Sequence, residues 1–89
     1  MKKIKIEHLS DEEVRARGIS SWPVWEKEKS RFDWEYDVDE ECLILEGEVV
    51  VETDDGAVEI KAGDFVTFPN GLKCTWDIKK DLKKHFNFK

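Results

Sequence analysis

The sequence predicts an all-β fold, a single small barrel or jelly roll with one short N-terminal helix. Three observations carry this. From Arg31 onward, short apolar or alternating runs follow one another. Turn signals stand between them at Gly47, Asp54-Asp55-Gly56, Ala62-Gly63-Asp64 and Pro69-Asn70-Gly71. The length, 89 residues, allows one small core. Many short strands with frequent turns mean a sandwich or a barrel, and closing or doubling the sheet handles the exposed-edge problem of such strands.

Each element has a local cause. Lys3–His8 alternates lysine with isoleucine, as an edge strand does. Ser10-Asp11-Glu12-Glu13 has the form of a capping box, with Ser10 as N-cap and Glu13 at N3. The helix it opens runs to Arg17 and stops at Gly18. Ser20–Glu28 holds Trp22, Pro23 and Trp25; proline removes a backbone donor and restricts its neighbour, which favours a loop or short strand. Phe32–Tyr36 alternates. Cys42–Leu45 is an apolar strand punctuated by Gly47. Glu48–Thr53 alternates charge with valine and returns through the Asp55-Gly56 turn as Ala57–Lys61. Phe65–Phe68, Lys73–Ile78 and Leu82–Phe88 complete the strands.

Acidic residues outnumber basic ones 21 to 15, the net charge is −6 and the pI is about 4.9. This balance argues against nucleic acid and against an anionic membrane surface as partners. The lysine-rich stretches at residues 2–5 and 79–84 read as solvated edges. No apolar run approaches the length of a bilayer, and no apolar segment follows Met1-Lys2-Lys3 as a signal peptide would require. A cytoplasmic protein is expected. Two cysteines, Cys42 and Cys74, are too few for a disulfide framework and are expected as thiols. Charged residues make up 40% of the chain, against roughly 25% in typical soluble domains. Such surfaces are reported for thermophile proteins, and a merely very soluble protein is the other reading.

Two segments, Trp34–Gly47 and Gly63–Cys74, resemble the paired motifs of the cupin family. Glu40 falls on the glutamate of the first motif, with six residues between it and Gly47. Gly63, Pro69 and Gly71 fall on the glycine, proline and glycine of the second. The fifteen residues from Glu48 to Ala62 leave room for one hairpin. The departures concern the metal. The first motif's histidines fall on Trp34 and Tyr36, the second motif's histidine on Cys74 and its asparagine on Ile78. The initial glycine would fall near Glu28. Trp22–Glu26, Phe32–Tyr36, Leu45–Gly47, Phe68–Trp76 and Lys84–Phe86 are similar to a subgroup of small single-domain cupins, the cupin-3 group, related to the ethanolamine-utilisation and ureidoglycine-aminohydrolase cupins. The resemblance implies one cupin domain over residues 1–89, an interior pocket, and a homodimer formed through edge strands or apolar faces. It implies no conventional histidine metal site. Indole is not a ligand, and a neutral phenol is a poor one.

In the cupin arrangement Trp34 and Tyr36, Glu40 and Cys42, and Cys74 and Trp76 all look into the barrel. The expected pocket is an aromatic wall with a few polar groups, a usual form of small-molecule site. Glu40 is the candidate acid/base and Tyr36 its partner. Cys74 is a candidate thiol, with His85 approaching from the last strand as its base. The bland readings stand beside these. Trp34 and Trp76 are then core, Tyr36 ties to backbone, Glu40 is a solvated strand end, Cys74 is a small hydrophobe and His85 packs at the surface. Trp22 and Trp25 cap one end of the barrel or form an apolar patch, and His8 is structural. Three functions stay open. The first is a metal-independent small-molecule-binding cupin, with proton-transfer chemistry if it is an enzyme. The second is an enzyme holding an atypical divalent metal on Glu40, Cys74 and Tyr36 or His85. The third is a non-catalytic module with a filled barrel.

Overall fold

The structure, a computed structural model, describes residues 3–89, so Met1, and Lys2 of the lysine-rich stretch at residues 2–5, lie outside it. In chain order the elements are β1 (Lys5–Glu7), α1 (Asp11–Ala16), a 3-10 turn (Ile19–Ser21), β2 (Val24–Lys27), β3 (Ser30–Glu35), β4 (Glu40–Thr53), β5 (Gly56–Lys61), β6 (Phe65–Phe68) and β7 (Lys73–Phe88). The fold is all-β, and all strand pairings are antiparallel. The helix is capped as its sequence predicts. Ser10 Oγ accepts from the Glu13 N–H at 3.1 Å, and Glu13 Oε1 accepts from the Ser10 N–H at 3.1 Å.

Two expectations are corrected. The sequence divides residues 42–53 at Gly47 and residues 73–88 after Ile78, but β4 and β7 are each one continuous strand. They pair with each other along nearly their whole length, with register shifts between Ile44 and Val49. Gly47, at φ 97°, lets β4 bend there without leaving the ladder. The bend divides the pair between two layers. The first half of β4 lies between β6 and β7, giving the order β1-β6-β4-β7-β2. The second half lies between β5 and β7, and β3 flanks β7 on its far side.

The bend also changes which side chains face inward. Before it the buried positions of β4 are even-numbered, Glu40, Cys42 and Ile44; after it they are Val49 and Val51. An inserted residue in a strand of period two has this effect. On β7 the buried set stays even throughout, with Cys74, Trp76, Ile78, Leu82 and Lys84. Lys84 corrects the reading of residues 79–84 as a solvated edge. Lys79, Lys80 and Lys83 do pair at the surface, with Asp77, Glu48 and Glu46, whereas alternation turns Lys84 inward. Among the described residues no helix is long and apolar enough to cross a membrane.

A Cβ on Gly47 would strike the Asp81 carbonyl oxygen and lie 2.8 Å from that of Lys80. Gly56, at φ 120°, has no atom within 4 Å of such a Cβ. Gly47→Ala is therefore expected to cost about 3 kcal/mol or more, and Gly56→Ala about 1 kcal/mol. Urea denaturation of the two variants checks the order. Equal losses would mean that Gly47 serves only as a flexible turn.

Candidate functional site

Between the layers lies a cavity of about 250 Å³. β2 contributes Trp25; β3 contributes Phe32 and Trp34; the turn after it contributes Tyr36. β4 contributes Glu40, and β7 contributes Trp76, Lys84, Phe86 and Phe88. Seven of these nine side chains are aromatic. Tyr36 stacks on Phe68 at 4.9 Å between ring centres, Phe32 stacks on Trp76 at 6.1 Å, and Trp25 meets Trp76 edge-on at 6.1 Å. Trp34 and Phe88 are half-exposed. Tyr36 lies beyond the end of β3, yet its backbone is fixed. Its N–H donates to the Leu72 carbonyl (2.9 Å), and its own carbonyl accepts from the Gly71 N–H (2.6 Å).

Two charges face this aromatic wall. Lys84 Nζ lies 3.3 Å from both carboxylate oxygens of Glu40, and each residue is only 4% exposed. The same ammonium stands 4.8 Å from the ring centre of Trp76 and 5.1 Å from that of Trp25. One carboxylate and two indoles therefore replace the water that Lys84 gives up. Cys42 is wholly buried, and its burial pushes the thiol up to about 12, with the Lys84 charge opposing and Glu40 reinforcing the shift. Burial, reinforced by Glu40, also holds the Tyr36 phenol well above its usual range, so it is a proton donor at neutral pH. The Trp76 indole N–H is buried beside Tyr36 and Cys74, and its side-chain interaction with each opposes part of the rise that burial causes in that group's pKa.

The expected pocket is only partly assembled. Trp34, Tyr36, Glu40 and Trp76 line the cavity, whereas Cys42 is buried without lining it. Cys74 pairs across the ladder with Trp34 and lines a separate surface depression with Asp33, Glu52 and Thr75. Burial raises its pKa, which disfavours the reactive thiolate. His85 does not enter the cavity. It occupies an odd position of β7, between the inward Lys84 and Phe86, and its Nδ1 donates to the Trp22 carbonyl at 2.9 Å. The Cys74–His85 pair is thus not formed. Trp25 reaches the cavity, while Trp22 packs against Phe65. His8 Nε2 lies 2.8 Å from Asp64 Oδ1.

An atypical metal set is not assembled either. Among the described residues no group of three His, Cys, Asp or Glu side chains converges. Glu40, the one residue of liganding type at a first-motif position, is engaged by an ammonium. This donor set does not fit a tightly held divalent ion.

Lys84, Trp25, Phe32, Phe86 and Phe88 are the site residues that sequence reasoning missed. For the three on β7 the signal is alternation: Leu82, Lys84, Phe86 and Phe88 form one face, on which Lys84 is the only charge.

Two outcomes follow from this burial. Glu40→Gln strands the Lys84 charge and is expected to cost about 3–5 kcal/mol, most of it recovered when Lys84→Met is added. Denaturant unfolding of the single and double variants measures this, and an additive double variant would deny the coupling. The thiol and phenol pKa values are raised in the folded state. Their contribution is complete below the ordinary thiol value of 9.0 and is lost as pH rises through it towards about 12. The urea midpoint should fall across that window, and a flat profile there would show these groups to be solvated.

Comparison with known proteins gives this geometry its family. The profile of the EutQ-like cupin domain matches residues 14–86. No curated protein matches the chain. A solved structure of a DUF861 family protein from Thermotoga maritima is 46% identical, covers 98% of this chain and 100% of its own, and superimposes with a TM-score of 0.95. A putative ethanolamine utilization protein Q from Salmonella typhimurium is 20% identical over 96% of this chain and 68% of its own, with a TM-score of 0.68. The EutQ protein of Clostridium difficile is 18% identical over 98% and 68%, with a TM-score of 0.69. The last two are likenesses of fold. The chain belongs to the EutQ-like cupin family.

Proposed function

We propose that this cupin binds a small metabolite with an apolar face and a polar group, in the aromatic cavity over Glu40 and Lys84. The observation that carries the reading is the buried ion pair. Apolar residues of similar volume commonly stabilise a core as well as a buried pair does. A pair kept at the wall of an unfilled cavity is instead placed to meet a polar ligand. The cavity lies just below the usual range of roughly 300–1,000 Å³ for small-molecule sites, which limits the ligand's size. The aromatic walls suit a ring or the apolar face of a sugar or amino-acid derivative. The unfilled space also argues against a filled structural barrel. Should turnover occur, Glu40 is the acid/base and Tyr36 its proton-donating partner.

The acidic balance supports a ligand other than nucleic acid or an anionic membrane. A cytoplasmic location and a homodimer complete the proposal. The dimer draws support from exposed Val24 on the outer strand β2 and from half-exposed Trp34 and Phe88. The charged surface and the Thermotoga relative support a thermophile source.

The test is tryptophan fluorescence titration of untagged protein with a panel of small sugars, amino-acid derivatives and carbonyl compounds, beside native mass spectrometry. Saturable quenching is expected for some members and should be absent in the Glu40→Gln/Lys84→Met double variant. Trp34→Ala at the rim should weaken binding roughly two- to tenfold. Absence of saturable binding across the panel, with a bare polypeptide in the mass spectrum, would return the protein to a structural role.

A further inference from the structure

We propose that the ligand of this cavity is a small planar ring compound, uncharged at neutral pH, which carries one hydrogen-bond donor, a phenolic O–H or a ring N–H, and that this donor meets the Glu40 carboxylate. The inference rests on the binding reading above and names the ligand class of the same site.

Unused hydrogen-bonding capacity selects the polar group. The Lys84 ammonium lies 3.3 Å from each oxygen of Glu40 and stands over the faces of Trp25 and Trp76, so its charge is met on several sides. Glu40 is less fully met. A carboxylate offers about four acceptor sites. Among the described residues Lys84 is the only donor to this one, which leaves about half of those sites open. Glu40 is buried from bulk water and lines the cavity. A donor brought there by a ligand completes a buried acceptor that the fold leaves short. A bond to an ionised acceptor is also about twice as strong as one between neutral groups.

Charge and wall chemistry select the rest of the ligand. Glu40 and Lys84 are close to neutral as a pair. An ammonium ligand would set a like charge beside Lys84, and a carboxylate ligand would set one beside Glu40, with no further counter-charge in the wall. A zwitterion would have to strip two more charges of water. An uncharged donor avoids both costs. The remaining lining side chains are all aromatic. A sugar would therefore meet one open carboxylate with a ring of hydroxyls and bury the others poorly paired. A flat ring suits this wall. Trp34 and Phe88 line the cavity while half-exposed, so part of each ring stays uncovered until a ligand packs on it. A volume of about 250 Å³ admits a single small ring system.

The experiment compares isosteric pairs on untagged wild-type protein at neutral pH: p-cresol with p-xylene, and indole with indene. Benzoate, benzylamine (a cation at that pH) and glucose are measured beside them. Calorimetry gives the affinities, and the tryptophan indole N–H signals in nitrogen-15 NMR give the place of binding. The signals of Trp25, Trp34 and Trp76, which line the cavity, are expected to move, and that of Trp22, which packs on Phe65, to stay. p-Cresol or indole should bind about ten- to a hundredfold tighter than its hydrocarbon twin, the worth of one bond to a charged group. This order runs against hydrophobicity, since the hydrocarbon gains more by leaving water. Which pair shows it separates a phenolic O–H from a ring N–H. Benzoate, benzylamine and glucose should bind about tenfold or more below the preferred ring. In the Glu40→Leu/Lys84→Met double variant, an apolar replacement of the pair, the ratio within each pair should fall to about one or below. The wild-type comparison needs no variant, so the test stands should that protein unfold. Hydrocarbons that bind as tightly as their twins would overturn the donor assignment and leave the binding reading intact. Tighter binding of a charged member or of glucose would overturn the uncharged ring. Cavity signals that no ring compound moves would overturn the inference as a whole, while the wider panel decides the binding reading separately.

Discussion

Fold and site both depend on the ladder between β4 and β7. These two strands belong to both layers, and their shared bend at Gly47 turns one layer over the other. The ladder also sets the site, because Glu40 comes from the start of β4 and Lys84 from the second half of β7. Their inward direction follows from strand parity. An extra residue inserted on either side of Glu40 or Lys84 would turn one charge outward and leave the other buried alone. The bulge at Gly47 spares both, since it lies beyond Ile44 on β4.

The ion pair is tolerable because of what surrounds it. A lysine stripped of water needs its charge met from several directions. Glu40 meets it from one side through two equal contacts, and the faces of Trp25 and Trp76 meet it from others. The indoles thus have two functions, wall of the cavity and solvent for the cation. Trp76 packs on Phe32 and Phe68, and Trp25 meets Trp76 edge-on, so the electrostatics of the site rest on the geometry of an aromatic cluster. Cys42 is a small uncharged group close to both charges.

Much of this was legible in the sequence where the cause is local. The capping box at Ser10 and Glu13, the Asp55-Gly56 turn and the Pro69–Gly71 turn are written in a few adjacent residues. The cupin motif likewise placed Tyr36, Glu40 and Trp76 at the cavity. The continuity of β4 was not legible. A glycine after an apolar run has the local appearance of a strand end, and only the partner strand shows that the ladder continues. Lys84 was hidden by its company. Lysines at 79, 80, 83 and 84 read together as solvated, although the period of two through Leu82, Phe86 and Phe88 turns Lys84 inward; Lys80 shares that parity but stands at the register shift beside Glu48 and is exposed. The same parity removes His85, whose chemistry drew attention that its position does not support.

An ammonium in place of a liganded metal alters what a cupin cavity can recognise. A metal ion with open positions can accept two donor atoms of a ligand and favours chelating anions. Lys84 offers one positive charge and directed N–H bonds, part of which Glu40 already uses. The pair is close to neutral as a unit, so it has little pull on a distant anion and acts at contact range. In the binding role proposed above, recognition falls to shape, to the aromatic faces and to the match of donors with acceptors. A cation carried on β7 is also fixed to the strand that carries Trp76, so the charge and the indole face keep one relative position. A cation held in this way loses little by reorganisation when a polar group meets it. The strand that completes both layers thus also fixes the polar geometry of the cavity.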